Sequence, residues 1–161
     1  MELKQLTQKI PCQWRIGQIS KMKPKASLLA YIDARDVMDL LDKVVGPDKW
    51  QDDYKMIGTN LVAGIGIYLE DLKEWVWKWD TGTAGDIEGE KSIYSDSFKR
   101  AAVKWGVGRF LYSMGTEWVD TNEAKTSTNH PYPVYPHNHE RIWDLTEYVN
   151  SKDKYAKREI K

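Results

Sequence analysis

Apolar positions in "DARDVMDLLDKVVGPDKW" recur every three to four residues, placing Val37, Leu40, Leu41 and Val44 on one stripe. Asp33 stands where an N-cap belongs, Gly46 terminates the pattern and Pro47 follows it, so a helix is predicted between them. From Trp50 to Asp80 the period changes to two. The segments "WQDDYKMIG", "NLVAGIGIYL" and "EWVWKWD", separated by "TN" and the charged turn "EDLK", predict an antiparallel meander of three strands. In the last of these Trp75, Trp77 and Trp79 share one face, while Val76 and Lys78 share the other. Large rings in a sheet usually serve burial, which predicts that the tryptophan face packs on the long helix.

That long helix is "SIYSDSFKRAAVKWGVGRFLY", residues 92–112. At about 100° per residue, Tyr94, Phe98, Ala101, Ala102, Trp105 and Tyr112 form its core stripe, and Lys99, Arg100 and Lys104 lie off it. Asp96 stands one turn before Arg100 and could neutralise it, which accounts for one cation of the three. Residues 2–9 predict a short helix, "QWRIGQIS" a strand, and "KMKPKASLLAY" a basic loop or hairpin. The proline-, threonine- and asparagine-rich stretch 114–139 reads as an irregular loop. "ERIWDLTEYVNS" restores a helical period, ending in the basic tail "KDKYAKREIK". The expectation is a single domain over residues 1–161, with its core at about 14–113, the loop after it, and a C-terminal helix and tail from 140 to 161.

Charge and composition narrow the functional classes. The chain has 24 basic and 24 acidic side chains, so no overall field draws it to a polyanion and any nucleic-acid binding must come from local clusters. One cysteine, Cys12, allows no intramolecular disulfide, and the N-terminus lacks the apolar run of a signal peptide, which together suggest a reducing intracellular location. No window is long and apolar enough for a bilayer span. Eight tryptophans and nine tyrosines can serve a core, an interface or a base-stacking surface.

Several motifs carry candidate chemistry. "GDIEGEKS" has the glycines, lysine and serine of a phosphate loop, but Glu90 separates Gly89 from Lys91, and Asp86 and Glu88 stand where the backbone must wrap phosphates. Asp48, Asp71 and Lys73 imitate the pattern of a metal-dependent nuclease, two carboxylates for a divalent ion and a lysine for the attacking water. Asp71 and Lys73 fall in a predicted turn, however, where a rigid strand would be needed. His130, His137 and His139 share the proline-rich loop, with Glu140 as the one nearby further ligand, and read as solvent-exposed rather than zinc-binding. "SKMKPK" gathers Lys21, Lys23 and Lys25, with alternate residues facing the same way if extended. Facing Lys99 and Arg100 across a groove, these lysines would track a phosphate backbone.

The succession "SKMKPKASLLAYIDARDVMDLLDKVVGPDKW", three meander strands and "SDSFKRAAVKWGVGRFLY" resembles the Rad52 type of single-strand annealing protein, particularly its short phage forms, over about residues 18–113. "YIDARDV" with a downstream "GPDKW" carries part of the likeness, and "DSFKRAAVKWG" at its distance carries more. The resemblance implies an α+β fold with a β-β-β-α core, ring-forming homo-oligomers, and single-stranded DNA held in a basic groove where it anneals to its complement without ATP. It places the inner DNA site on Lys21, beside Met22, and on Lys99 and Arg100. A further family arginine falls on Val103, with Lys104 next to it; Lys23 adds charge beside Lys21. The family's outer site needs lysines where this chain has Asp86, Glu88 and Glu90, so that site is not carried over.

The function expected from the sequence is therefore annealing of complementary single strands in recombination and repair, with Lys21, Lys23, Lys99, Arg100 and Lys104 on the DNA. No catalytic residue, cofactor or metal is expected. The implied partners are single-stranded DNA, further copies of the chain, and a phage exonuclease or host single-strand binding protein, in the cytoplasm of an infected bacterium. Two other readings are a single-strand binder that does not anneal and a nuclease built on Asp48, Asp71 and Lys73.

Overall fold

The computed structural model describes residues 2–82 and 89–156. In chain order its regular elements are β1 (Gln13–Ile19), β2 (Lys25–Tyr31), α1 (Ala34–Val45), β3 (Trp50–Ile57), β4 (Asn60–Leu69), β5 (Glu74–Thr81), α2 (Gly89–Trp105), β6 (Glu117–Thr121), β7 (Pro133–Val134) and α3 (Leu145–Ala156). The architecture is α+β with antiparallel sheets, and the chain forms two compact units, one of residues 1–10 and 32–113, the other of 11–31 and 114–161.

In the first unit, α1 is set by local hydrogen bonds. The Asp33 carboxylate accepts from the backbone N–H of Arg35 (2.7 Å) and Asp36 (3.1 Å), and the Asp36 side chain accepts from Asp33 N–H (2.7 Å), closing a capping box. Gly46, at φ +96°, ends the helix in a conformation that other residues rarely adopt. Val37, Leu40, Leu41 and Val45 are buried, so the stripe finishes on Val45 rather than on Val44. The helix expected at 2–9 is a 3-10 turn over Leu3–Thr7 that buries Leu6.

β3, β4 and β5 pair in order, with β4 central. The tryptophan face does not pack on α2 as expected. Directly opposed residues share a face, and Val76, Lys78 and Asp80 oppose Ile67, Ile65 and Ala63, all fully buried. On that side Lys78 Nζ lies 4.2 Å over the Trp105 ring of α2, and Tyr54, opposite Ala63, meets Tyr94 of α2 at 5.2 Å. Trp75, Trp77 and Trp79 stand on the other face, away from α2, opposite Tyr68, Gly66 and Gly64. A Cβ at Gly64 would come within 2.6 Å of the Trp79 ring, and one at Gly66 within 2.6 Å of the Trp77 ring. The rings thus bury area against the bare backbone of their own sheet, a solution that alternation alone does not reveal.

α2 buries Phe98, Ala101, Ala102 and Trp105 as expected, but stops at Trp105. Val107 N–H donates to Ala102 O (3.1 Å) and Gly106 N–H to Val103 O (3.0 Å), a Schellman closure made possible by Gly106 at φ +107°. A separate 3-10 turn covers Arg109–Ser113, and Tyr112, expected in the core, is 75% exposed; Tyr94 is also exposed.

The second unit holds a four-stranded sheet in the order β1-β2-β6-β7. The stretch expected to be irregular therefore supplies two strands. β6 pairs with β2 in register Lys25↔Asp120 to Leu28↔Glu117, and β7 pairs with β6. Trp14, Ala26, Leu28, Val119, Ile142 and Tyr148 form its core, and Thr146 Oγ1 of α3 accepts from Trp14 N–H at 3.0 Å. The C-terminal helical pattern starts later than read: residues 141–143 are not helical, and α3 begins at Leu145. Asp86 and Glu88, and the tail from residue 157, lie outside the described residues. Among the described residues no helix is long and apolar enough to cross a membrane.

Candidate nucleic-acid interface

Arg100 and Lys104 are four residues apart on α2, a like-charge spacing that costs an isolated helix about 0.2–0.5 kcal/mol. The fold sets one carboxylate between them. Asp80 Oδ2, on β5, is 3.7 Å from Arg100 Nη2 and 3.9 Å from Lys104 Nζ, while its Oδ1 accepts from Thr81 N–H at 2.8 Å. The Asp80 side chain is 22% exposed and both cations are 49% exposed, so the carboxylate sits beneath and the charged ends reach solvent. Lys104 Nζ also donates to Trp79 O. Arg100 thus meets a carboxylate from another element. Lys99 is half-buried on the same helix, and among the described residues no ion pair reaches it.

Lys21 and Lys23 are brought together at the β1–β2 hairpin tip, both exposed. Ser20 Oγ accepts from Met22 N–H and Lys23 N–H, each at 3.1 Å, and Ser20 N–H donates to Lys25 O at 2.8 Å, so the tip is an ordered turn. Among the described residues no ion pair reaches Lys21 or Lys23, and Met22 between them is 91% exposed. Lys25 differs: its ammonium lies 3.6 Å from Asp120, its register partner on β6.

Asp48, Asp71 and Lys73 are exposed, the last two in the β4–β5 turn, where Lys73 has φ +55°. His130, His137 and His139 are also exposed. Among the described residues no group of three or more histidine, cysteine or acidic side chains could hold a metal ion.

Residues 1–130 match the model of the Rad52/22 family double-strand break repair proteins. The chain belongs to this family. It is 38% identical over 151 residues to the single-stranded DNA-binding protein DdrA of Deinococcus deserti, covering 87% of this chain and 71% of that protein. With DdrA of Deinococcus radiodurans it shares 34% identity over 119 residues, covering 73% of this chain and 56% of the relative. No solved structure matches. All five cations expected on DNA fall inside the Rad52/22 match.

Three residues of this Rad52/22 chain escaped the sequence reading. Asp80 was one more acid in a strand pattern, and only the β4–β5 register turns it toward α2. Lys78 Nζ donates to Lys104 O (3.0 Å), and Arg109 donates through Nη2 to the same carbonyl (3.0 Å) and through Nε to Val103 O (2.8 Å). Both cations thereby donate to carbonyls at the negative end of the α2 dipole. A basic residue three places past a terminating glycine was the one local hint of Arg109. Beside α2, burial and then the neighbouring Asp52 push the Tyr54 phenol up to about 12. In the other unit burial raises Tyr148, partly offset by Lys152. At the surface Lys49 is raised and Glu70 lowered by the hydrogen bond and charge each offers the other.

Proposed function

We propose that this chain binds single-stranded DNA and anneals complementary strands without ATP, as part of recombination and repair. The observation that carries it is the α2 cluster: Arg100 and Lys104 held over one half-buried carboxylate with their ends in solvent, on the helix that also carries Lys99, in a member of the Rad52/22 family. Guanidinium and ammonium groups take phosphates without reading sequence, so binding is sequence-tolerant and falls as salt rises. Lys21 and Lys23 at the hairpin tip contact the same class of ligand. In this reading the β3–β5 meander and α2 are the β-β-β-α core of the family fold, and the two compact units act as one annealing domain.

Pairing energy of the strands drives annealing, so no covalent step and no catalytic residue is required. A ring of copies lets many weak patches act on one strand, which suits a chain of zero net charge. The protein then works in the cytoplasm, and a phage exonuclease or host single-strand binding protein would be a natural partner. Its likeness to single-stranded DNA-binding proteins favours a second reading, a single-strand binder that protects DNA without promoting pairing.

The test mixes complementary oligonucleotides without nucleotide or divalent metal at low and high salt. Faster pairing by the wild-type chain, lost in Arg100→Ala, supports annealing. Tight binding with no gain in pairing rate selects the second reading, and in a parallel reaction with magnesium added, cleavage abolished by Asp71→Asn would restore the nuclease.

A further inference from the structure

The second unit carries a charged aromatic patch that the family likeness does not account for. The Arg141 guanidinium lies 4.1 Å from the Trp143 ring centroid and 4.9 Å from that of Tyr132, so two rings hold one cation. Arg141 is exposed and Trp143 is 80% exposed, whereas Ile142 between them is 3% exposed and anchors the segment in the core. The backbone beneath is fixed: Ile142 N–H donates to Pro133 O (2.9 Å), Tyr135 N–H to Glu140 O (2.9 Å), and Tyr132 N–H to Asn122 Oδ1 (2.9 Å). No ion pair reaches Arg141 among the described residues. All three residues lie beyond the family match, which ends at residue 130.

A tryptophan left this open on a rigid backbone forgoes the burial its ring would gain in a core. Among the described residues the guanidinium lacks the carboxylate that Arg100 has. What satisfies both is a ligand with a flat π face and an anion one linkage away, and each nucleotide of a single strand is that. A peptide aromatic would meet the ring and leave the cation unmatched.

We propose that Trp143 and Arg141, backed by Tyr132, form a second contact for single-stranded DNA, a base stacking on the open face of Trp143 and a phosphate taken by Arg141. The assignment rests on the DNA-binding reading above and adds to it a site that reads bases by stacking rather than phosphates alone.

The test is binding of a labelled oligothymidylate, and of an abasic strand of equal length, across a salt series, with folding checked by circular dichroism. Trp143→Ala is expected to weaken oligothymidylate binding roughly 5- to 150-fold, to leave the salt slope unchanged and to narrow the preference for bases over the abasic strand. Trp143→Phe should recover most of the loss. Arg141→Gln should lower the salt slope by about 0.7, one phosphate of a single strand. If Trp143→Ala and Arg141→Gln bind as wild type does while Arg100→Ala is weakened, the second contact is wrong and the α2 reading stands. Loss of self-association in the Trp143 variant with DNA binding intact would give the patch to a second copy and overturn the proposal. A wild-type chain that binds neither strand overturns both readings.

Discussion

The cations of α2 and those of the β1–β2 hairpin tip are matched in type and differ in how they are held. Arg100 and Lys104 share a carboxylate from a neighbouring strand, and Lys104 also bonds a strand carbonyl; Lys21 and Lys23 stand on a tip held by the bonds of Met22 and Lys23 N–H to Ser20 Oγ, and among the described residues no ion pair reaches their ammonium groups. Anchored side chains lose less freedom when a phosphate arrives, so a larger share of their interaction appears as affinity. Mobile ammonium groups mostly add to the local field that gathers the strand. The two clusters should therefore differ in what their removal costs, although they remove similar charge.

Arg100→Ala with Lys104→Ala is expected to have the largest effect, a loss of roughly 10- to 100-fold in single-strand affinity at low salt with a slope smaller by about 1.4 for two phosphates. Fluorescence anisotropy across salt measures both. Lys21→Ala with Lys23→Ala, the matched removal of two charges, should cost only about 2- to 5-fold, within the range of exposed ion pairs; equal losses from the two doubles would erase the distinction. Asp80→Asn should lower unfolding stability by about 0.5–1 kcal/mol at low salt, because it uncovers the repulsion of Arg100 and Lys104, and the deficit should shrink in high salt. Urea titration reads this, and unchanged stability at both salts would mean the carboxylate anchors nothing.

The surroundings of α2 also make a prediction with pH. Tyr54 is raised in the folded state to about 12, above the ordinary phenol value of about 10. Its contribution is complete below the unfolded value and is lost as pH rises from about 10 towards 12, where the unfolded chain gives up its proton first. Urea midpoints should fall over that window, and less so in Tyr54→Phe. Smallest of all, Ser20→Ala removes the hydroxyl that accepts from two backbone N–H groups at the hairpin tip and should alter affinity less than about twofold. A larger change would show that the tip, too, works by being held in place.

Much of the first unit was legible in the chain. Asp33, Gly46 and the Val37–Leu41 stripe act within a few residues of one another, so the α1 boundaries follow from neighbours alone. The three meander strands follow from a period of two, and Lys99, Arg100 and Lys104 lie off the apolar stripe of α2 as plotted. The end of α2 was misread because its apolar pattern runs through Gly106 to Tyr112, while the Schellman bonds stop the helix at Trp105. β6 and β7 were hidden because their partners lie far away in sequence: Trp118 pairs with Ser27, and no local alternation announces a strand that short.

Whatever depends on residues within a turn or two was written in the order of the amino acids: the capped helix, the meander, and the cations of α2 and of the hairpin. The chain folded in space decided the rest. Alternation along β5 makes two faces but cannot say which one is covered; Gly64 and Gly66 across the register admit the tryptophan rings, and Val76, Lys78 and Asp80 are left to meet α2. Asp80 becomes the anchor of Arg100, and Arg141 comes to lie between Tyr132 and Trp143, only when distant segments pair. The physical reason is range: hydrogen bonds and side-chain periods act between near neighbours, whereas burial and charge pairing depend on which surfaces the fold brings into contact.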